Sequence, residues 1–154
     1  LMVNPSDLEA FAHGAQLPFD MVQLHGSESP ERVAELKSII GKPIMKAVGI
    51  ASPDDIASAH AYESVADRIL LDAKAPIGAD LPGGNAQSFD WSLIAGETWE
   101  KPWMLAGGLT PDNVAEAVKI SGAGAVDVSS GVEDAPGRKS IEKIRAFLQA
   151  AATL

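Results

Sequence analysis

Two stretches near the C-terminal end of this 154-residue sequence carry the residues most suited to holding an anion: Leu105-Ala106-Gly107-Gly108-Leu109-Thr110-Pro111 and Asp127-Val128-Ser129-Ser130-Gly131-Val132-Glu133. Each follows an apolar run. Glycine lets backbone N–H groups approach an oxyanion closely. Serine hydroxyls add donors, and a helix start just beyond adds unpaired N–H groups. Either stretch alone reads equally well as a tight turn or a helix cap. In this order they read as a phosphate grip formed by Gly107, Gly108, Ser129 and Ser130.

Other polar residues end apolar runs. Asp72 closes Ile69-Leu70-Leu71. A carboxyl placed there is partly desolvated, which raises its pKa toward the range a general acid needs; a loop or cap aspartate is the competing reading. Gln23 and His25 alternate in Gln23-Leu24-His25-Gly26, so they share one face of an extended chain. His25 suits a substrate contact, although a lone histidine is more often structural. His13 and His60 fall on helical stretches and read as solvated. Lys46, inside the run Ile44-Met45-Lys46-Ala47-Val48, has two readings: it points into a barrel toward a carboxylate, or it is neutral in packing.

The elements that must position these residues show a rhythm. Asn4-Pro5-Ser6-Asp7, Ser29-Pro30-Glu31-Arg32, Ser52-Pro53-Asp54-Asp55 and Thr110-Pro111-Asp112-Asn113 each place a capping residue before a proline. An N-cap oxygen accepts from the first turn, and proline loses nothing at the first helical position. Strand-like runs lie at Phe19–Leu24, Ile44–Val48, Arg68–Asp72, Trp103–Ala106 and Ala125–Val128, with a strand remnant at the start. Helical spacing follows in Val33, Leu36, Lys37 and Ile40, in Val114, Ala117, Val118 and Ser121, and over Ser140–Ala150 with Ile141, Ile144, Phe147 and Leu148 on one face. Strand and helix alternate with a period of about 25 residues, as parallel α/β folds do. Short even units, with glycine or polar residues at the strand ends, favour a closed (β/α)8 TIM barrel over a doubly wound sheet. About six of the eight units are expected within a single partial domain, residues 1–154, and two units, roughly 50 residues, are expected before Leu1. The stretch from Asp72 to Trp91 reads as a long functional loop whose far end Phe89 and Trp91 anchor.

Composition narrows the chemistry. A formal charge of −9 argues against nucleic acid or an anionic membrane as partner. The apolar share of 46% supports a folded core. With no cysteine there is neither a disulfide framework nor a Cys-based metal site.

The segments Val22-Gln23-Leu24-His25-Gly26, Leu70-Leu71-Asp72, Pro82-Gly83-Gly84-Asn85, Phe89-Asp90-Trp91, Leu105 to Val114 and Val126 to Glu133 stand in the order seen in phosphoribosylanthranilate isomerases. The sequence resembles that family over its whole length. The glycine-rich loops are common to many barrels; the Gln-Leu-His-Gly and Val-Asp-Val-Ser-Ser-Gly-Val-Glu segments together are more specific. The resemblance implies an Amadori rearrangement in tryptophan biosynthesis, from N-(5′-phosphoribosyl)anthranilate to 1-(o-carboxyphenylamino)-1-deoxyribulose 5-phosphate. It implies no metal or organic cofactor. Asp72 is then the general acid on the ribose ring oxygen; Gly107, Gly108, Ser129 and Ser130 hold the phosphate; Asp127, His25 and Gln23 line the pocket. It also implies a cytoplasmic monomer or homodimer, open to fusion or association with other enzymes of the pathway.

The sequence departs from the family's pattern in one important respect. The family's base is a cysteine in a Lys-Ile-Cys-Gly type segment, and this sequence has neither. An arginine from the second unit is absent as well. The expectation is a truncated enzyme, inactive by itself. Ala86, where glycine is common, is a smaller departure. Two readings stand beside the isomerase: another phosphate-binding barrel enzyme, such as an epimerase or indoleglycerol-phosphate synthase relative, and a non-catalytic phosphate-binding fragment. The first would need strand histidines for a metal or strand lysines; His25 and Lys46 are thin for either.

Overall fold

The computed structural model describes residues 1–74 and 88–152. Pro82-Gly83-Gly84-Asn85, Ala86 and most of the expected loop between Asp72 and Trp91 lie outside the described residues.

Parallel strand positions succeed one another in chain order. Met2 bridges Leu24 of β1 (Val22–Leu24). β1 pairs with β2 (Ile44–Ile50), β2 with β3 (Arg68–Ala73), and β3 with β4 (Trp103–Leu105). Leu105 of β4 then bridges Val126. A doubly wound sheet reverses its order at a switch point, whereas a barrel keeps sequence order throughout. The order here is that of a barrel, and it accounts for the six expected strand positions. The last of them is thinner than expected, because only Val126 of Ala125–Val128 makes a bridge.

Helices α1 (Asp7–Glu9, continued by a π-helical turn over Ala10–Ala15), α2 (Pro30–Ile40), α3 (Pro53–His60), α4 (Val114–Ser121) and α5 (Ile141–Ala151) fill the connections. A short antiparallel pair, β5 (Glu133–Ala135) and β6 (Arg138–Lys139), precedes α5. Ser29 and Ser52 stand at the N-caps of α2 and α3, each followed by proline, as the sequence predicts. The other two starts differ. Ser6, not Asn4, caps α1, in a reciprocal pair with Glu9. α4 begins only at Val114, because the Asn113 side chain takes up the preceding turn. Its Oδ1 accepts from Thr110 N–H at 2.7 Å and its Nδ2 donates to Gly108 O at 3.0 Å. Such local side-chain bonds compete with helix formation, and here they hold the glycine loop.

Strand residues alternate between two faces. Leu24, Ile44, Ile50, Ile69, Leu71 and Leu105 point to the helices and join their buried faces, among them Val33, Leu36, Ile56, Val114, Ala117 and Phe147. The opposite face gathers Ala47, Leu70 and Ala106 with Met45 and Met104. That inner cluster floors the site above it. Phe89 and Trp91 pack against the outer core as expected. On α5, Phe147 is buried, but Ile141 and Leu148 of the same expected face are exposed. Among the described residues no helix is long and apolar enough to cross a membrane.

His60 is not the solvated residue its helical position suggests. Its ring stacks on Trp99 with centroids 4.1 Å apart, and its Nδ1 lies 2.7 Å from Glu63. The periodicity of α3 alone carries no sign of a partner more than thirty residues away in sequence.

Candidate active site

The residues proposed for chemistry meet at the C-terminal ends of the strands. β3 alternates Ile69 and Leu71 outward with Leu70 and Asp72 inward, so the apolar run that buries the strand also delivers its carboxylate to the mouth. Asp72 is 6% exposed there. Its Oδ1 accepts from the N–H of Ala73 at 2.8 Å, and its Oδ2 lies 3.2 Å from Nε2 of His25. Gln23 Nε2 lies 3.3 Å from His25 Nδ1. Gln23 Nε2–H donates to Nδ1, and Nε2 of the ring faces the Asp72 carboxyl. Gln23, His25 and Asp72 thus form one chain of polar contacts across the inner face.

A cavity of about 740 Å³ lies over this chain, lined by Gln23, His25, Asp72, Asp127, Ser129 and Ser130, with Glu133 and Lys139 on its far wall. Asp127 is exposed at the open side. Surrounding protein, and secondarily the Asp72 carboxylate, push its carboxyl above the usual range; His25 and Lys139 pull the other way.

Gly107 and Gly108 do not line this cavity but stand beside it. Both take left-handed backbone, φ 85° and 62°, which glycine alone adopts without strain. Gly107 also passes so close to β3 that a Cβ would collide with the Ala73 backbone nitrogen and stand 3.0 Å from Asp72 Oδ1. Gly131, in the 3-10 turn Ser130–Val132, leaves no room for a Cβ against the carbonyl of Leu109. The two expected anion loops therefore touch through Gly131 and Leu109.

The family model described as N-(5'phosphoribosyl)anthranilate (PRA) isomerase matches residues 2–150. The chain belongs to the N-(5′-phosphoribosyl)anthranilate isomerase family. An N-(5′-phosphoribosyl)anthranilate isomerase of Ruegeria sp. (strain TM1040) is 55% identical over 152 residues, covering 98% of this chain and 71% of that protein. One of Cereibacter sphaeroides is 58% identical over 151 residues, covering 98% and 71%. Among solved structures, the phosphoribosyl anthranilate isomerase of Thermotoga maritima superposes with a TM-score of 0.81 at 35% identity, covering 99% of this chain and 71% of that one. A phosphoribosyl anthranilate isomerase in complex with reduced 1-(o-carboxyphenylamino)-1-deoxyribulose 5-phosphate superposes at 0.76 with 31% identity, covering 99% and 70%. The fold is accordingly the (β/α)8 barrel of these isomerases, of which the described strands form six positions.

Two contacts in this part of the fold are not evident from the motifs. Lys139 reaches back from β6: its Nζ donates to the carbonyl of Ser129 at 2.9 Å and pairs with Glu133 at 2.7 Å. The Pro136-Gly137 turn signal between Glu133 and Lys139 is what brings them together. Lys46 pairs with a carboxylate, as one reading had it, but not in the lumen: it faces the helices and meets Glu28 at 2.9 Å. Among the described residues no cluster of three or more His, Asp or Glu is arranged to hold a metal ion.

Proposed function

We propose that this chain's isomerase reaction, the conversion of N-(5′-phosphoribosyl)anthranilate to 1-(o-carboxyphenylamino)-1-deoxyribulose 5-phosphate in tryptophan biosynthesis, runs with the substrate phosphate on Gly107, Gly108, Ser129 and Ser130 and its ribose over Asp72. The observation that carries the reading is the burial of Asp72 at the head of the cavity, within hydrogen-bond reach of His25.

In this scheme Asp72 gives its proton to the ribose ring oxygen. The C1–O bond breaks, and the anthranilate nitrogen lone pair forms the iminium cation. A base removes the C2 proton, the enolamine forms, and tautomerisation gives the ketone. Gln23 and His25 hold the Asp72 carboxyl in place, and Asp127 faces the sugar. General acid catalysis of this kind contributes on the order of a hundred- to ten-thousandfold. The cysteine that the family resemblance assigns as base is not in this sequence, so the 154 residues by themselves supply the phosphate grip and the acid without that base. We take residues 1–154 as part of one domain. The phosphoribosylanthranilate isomerase of Thermotoga maritima is dimeric, and monomer or homodimer is proposed here.

Calorimetric titration with reduced 1-(o-carboxyphenylamino)-1-deoxyribulose 5-phosphate tests the grip. Saturable binding that inorganic phosphate displaces is expected. Binding indifferent to phosphate, or none, would contradict it.

A further inference from the structure

A fully bonded buried group lies outside the cavity. Lys46 is 2% exposed and Glu28 4%. Lys46 sits opposite Leu24 in the β1–β2 register, on the helix side of the sheet. All three of its ammonium protons have acceptors: Glu28 Oε2 at 2.9 Å, Gly26 O at 2.8 Å and Ala47 O at 2.9 Å. Glu28 in turn accepts from the N–H of Gly26, at 3.0 Å to Oε2, and from the N–H of Asn4 at 2.8 Å. Tyr62 covers the pair, donating to the Glu28 carbonyl at 2.8 Å.

Both backbone groups of Gly26 are therefore gripped by one ion pair. Gly26 directly follows His25, whose own N–H donates to Met2 O at 2.9 Å. Asn4, at φ 45°, closes the other side by accepting from Ser27 N–H at 2.8 Å, and it packs where a Gly26 side chain would go. The N–H of His25 is thus tied to the sheet, and both backbone groups of the next residue are tied to this assembly.

A buried ion pair is a poor stabiliser compared with apolar residues of the same shape, because desolvating two charges offsets most of their attraction. Its use must lie in geometry. We propose that the Lys46–Glu28 pair is a positioning device: by holding the N–H and C=O of Gly26 it fixes the His25 turn, and through it the contact of His25 with Asp72. This rests on the reading of Asp72 and His25 as site residues. Neither Lys46 nor Glu28 touches the cavity, so both act through His25.

The test reads the His25–Asp72 contact directly, without substrate. The Nδ1 and Nε2 chemical shifts of the His25 ring are followed by NMR at fixed pH, with and without Asp72→Asn. In the parent chain, Asp72→Asn is expected to move the Nε2 resonance, because Nε2 is the atom that faces Asp72. In a background carrying Lys46→Met with Glu28→Leu, which replaces the pair by apolar residues, the movement is expected to fall at least twofold. A full-sized movement in that background overturns the positioning role. No movement in the parent overturns the site reading instead, so the two failures are separable. One further measurement needs no variant: the Gly26 amide should exchange with solvent at least a hundredfold more slowly than an unstructured amide. Free exchange at Gly26 would overturn the proposal even if the double variant does not fold.

Discussion

A Cβ on Gly107 would stand 3.0 Å from Oδ1 of Asp72 and 2.9 Å from Cβ of Ala73, at a backbone φ of 85°. The first of the two proposed phosphate loops and the proposed acid are thus packed against each other through an absent side chain. Gly107→Ala adds left-handed strain and a collision with backbone, which cannot swing aside as a side-chain tip can. The expected cost is about 1–3 kcal/mol from the backbone strain alone. The urea midpoint should fall at unchanged slope; an unchanged midpoint would mean that the two strand ends are not in contact.

Gly131 faces the carbonyl of Leu109 in the same way, but at the junction of the two anion loops. Gly131→Ala must push the Ser129-Ser130 turn away from Gly107-Gly108. Affinity for the reduced product analogue should weaken at least tenfold, about 1.4 kcal/mol. Calorimetry checks this, and unaltered affinity would separate the loops from the phosphate.

The His60 cluster gives a stability profile with a defined sign. The hydrogen bond to Glu63 raises the His60 pKa above its ordinary 6.5. A raised folded pKa contributes stability that is full below 6.5 and is lost as pH rises through the folded value. Burial works to raise Glu63, but the His60 hydrogen bond and the backbone N–H groups of Lys101 and Glu100 outweigh it, and its pKa lies below the ordinary 4.5. Its contribution is full above 4.5 and is lost as pH falls through the folded value. The cluster therefore helps most between these limits. The Tm gap between parent and His60→Gln should be widest near about pH 5.5 and shrink by about pH 8.5. A gap that widens with rising pH would contradict the pairing.

Much of this was legible in the residues. Ser29-Pro30 and Ser52-Pro53 announced their helices because cap chemistry is local. Gln23, His25 and Asp72 came together because strand alternation puts every second residue on one face. The Lys46–Glu28 pair was not legible, since a lysine in an apolar strand says nothing of which face it takes or which loop it meets. Lys139 was hidden for a related reason: its contact with Ser129 depends on a turn whose direction only the fold decides. At Thr110, a proline after a capping residue misplaced the helix start, because the Asn113 side chain took the turn first.

As proposed, Asp72 is the acid of the isomerisation. Its most direct test is the fluorescence decay of N-(5′-phosphoribosyl)anthranilate, measured with this chain alone and with this chain joined to the part of the Ruegeria relative that it does not span. The chain alone, which has no cysteine, should show no measurable turnover. The joined enzyme should turn over, and Asp72→Asn within it should cut the rate at least about a hundredfold. A joined enzyme in which Asp72→Asn keeps a near-parental rate would remove Asp72 from the mechanism.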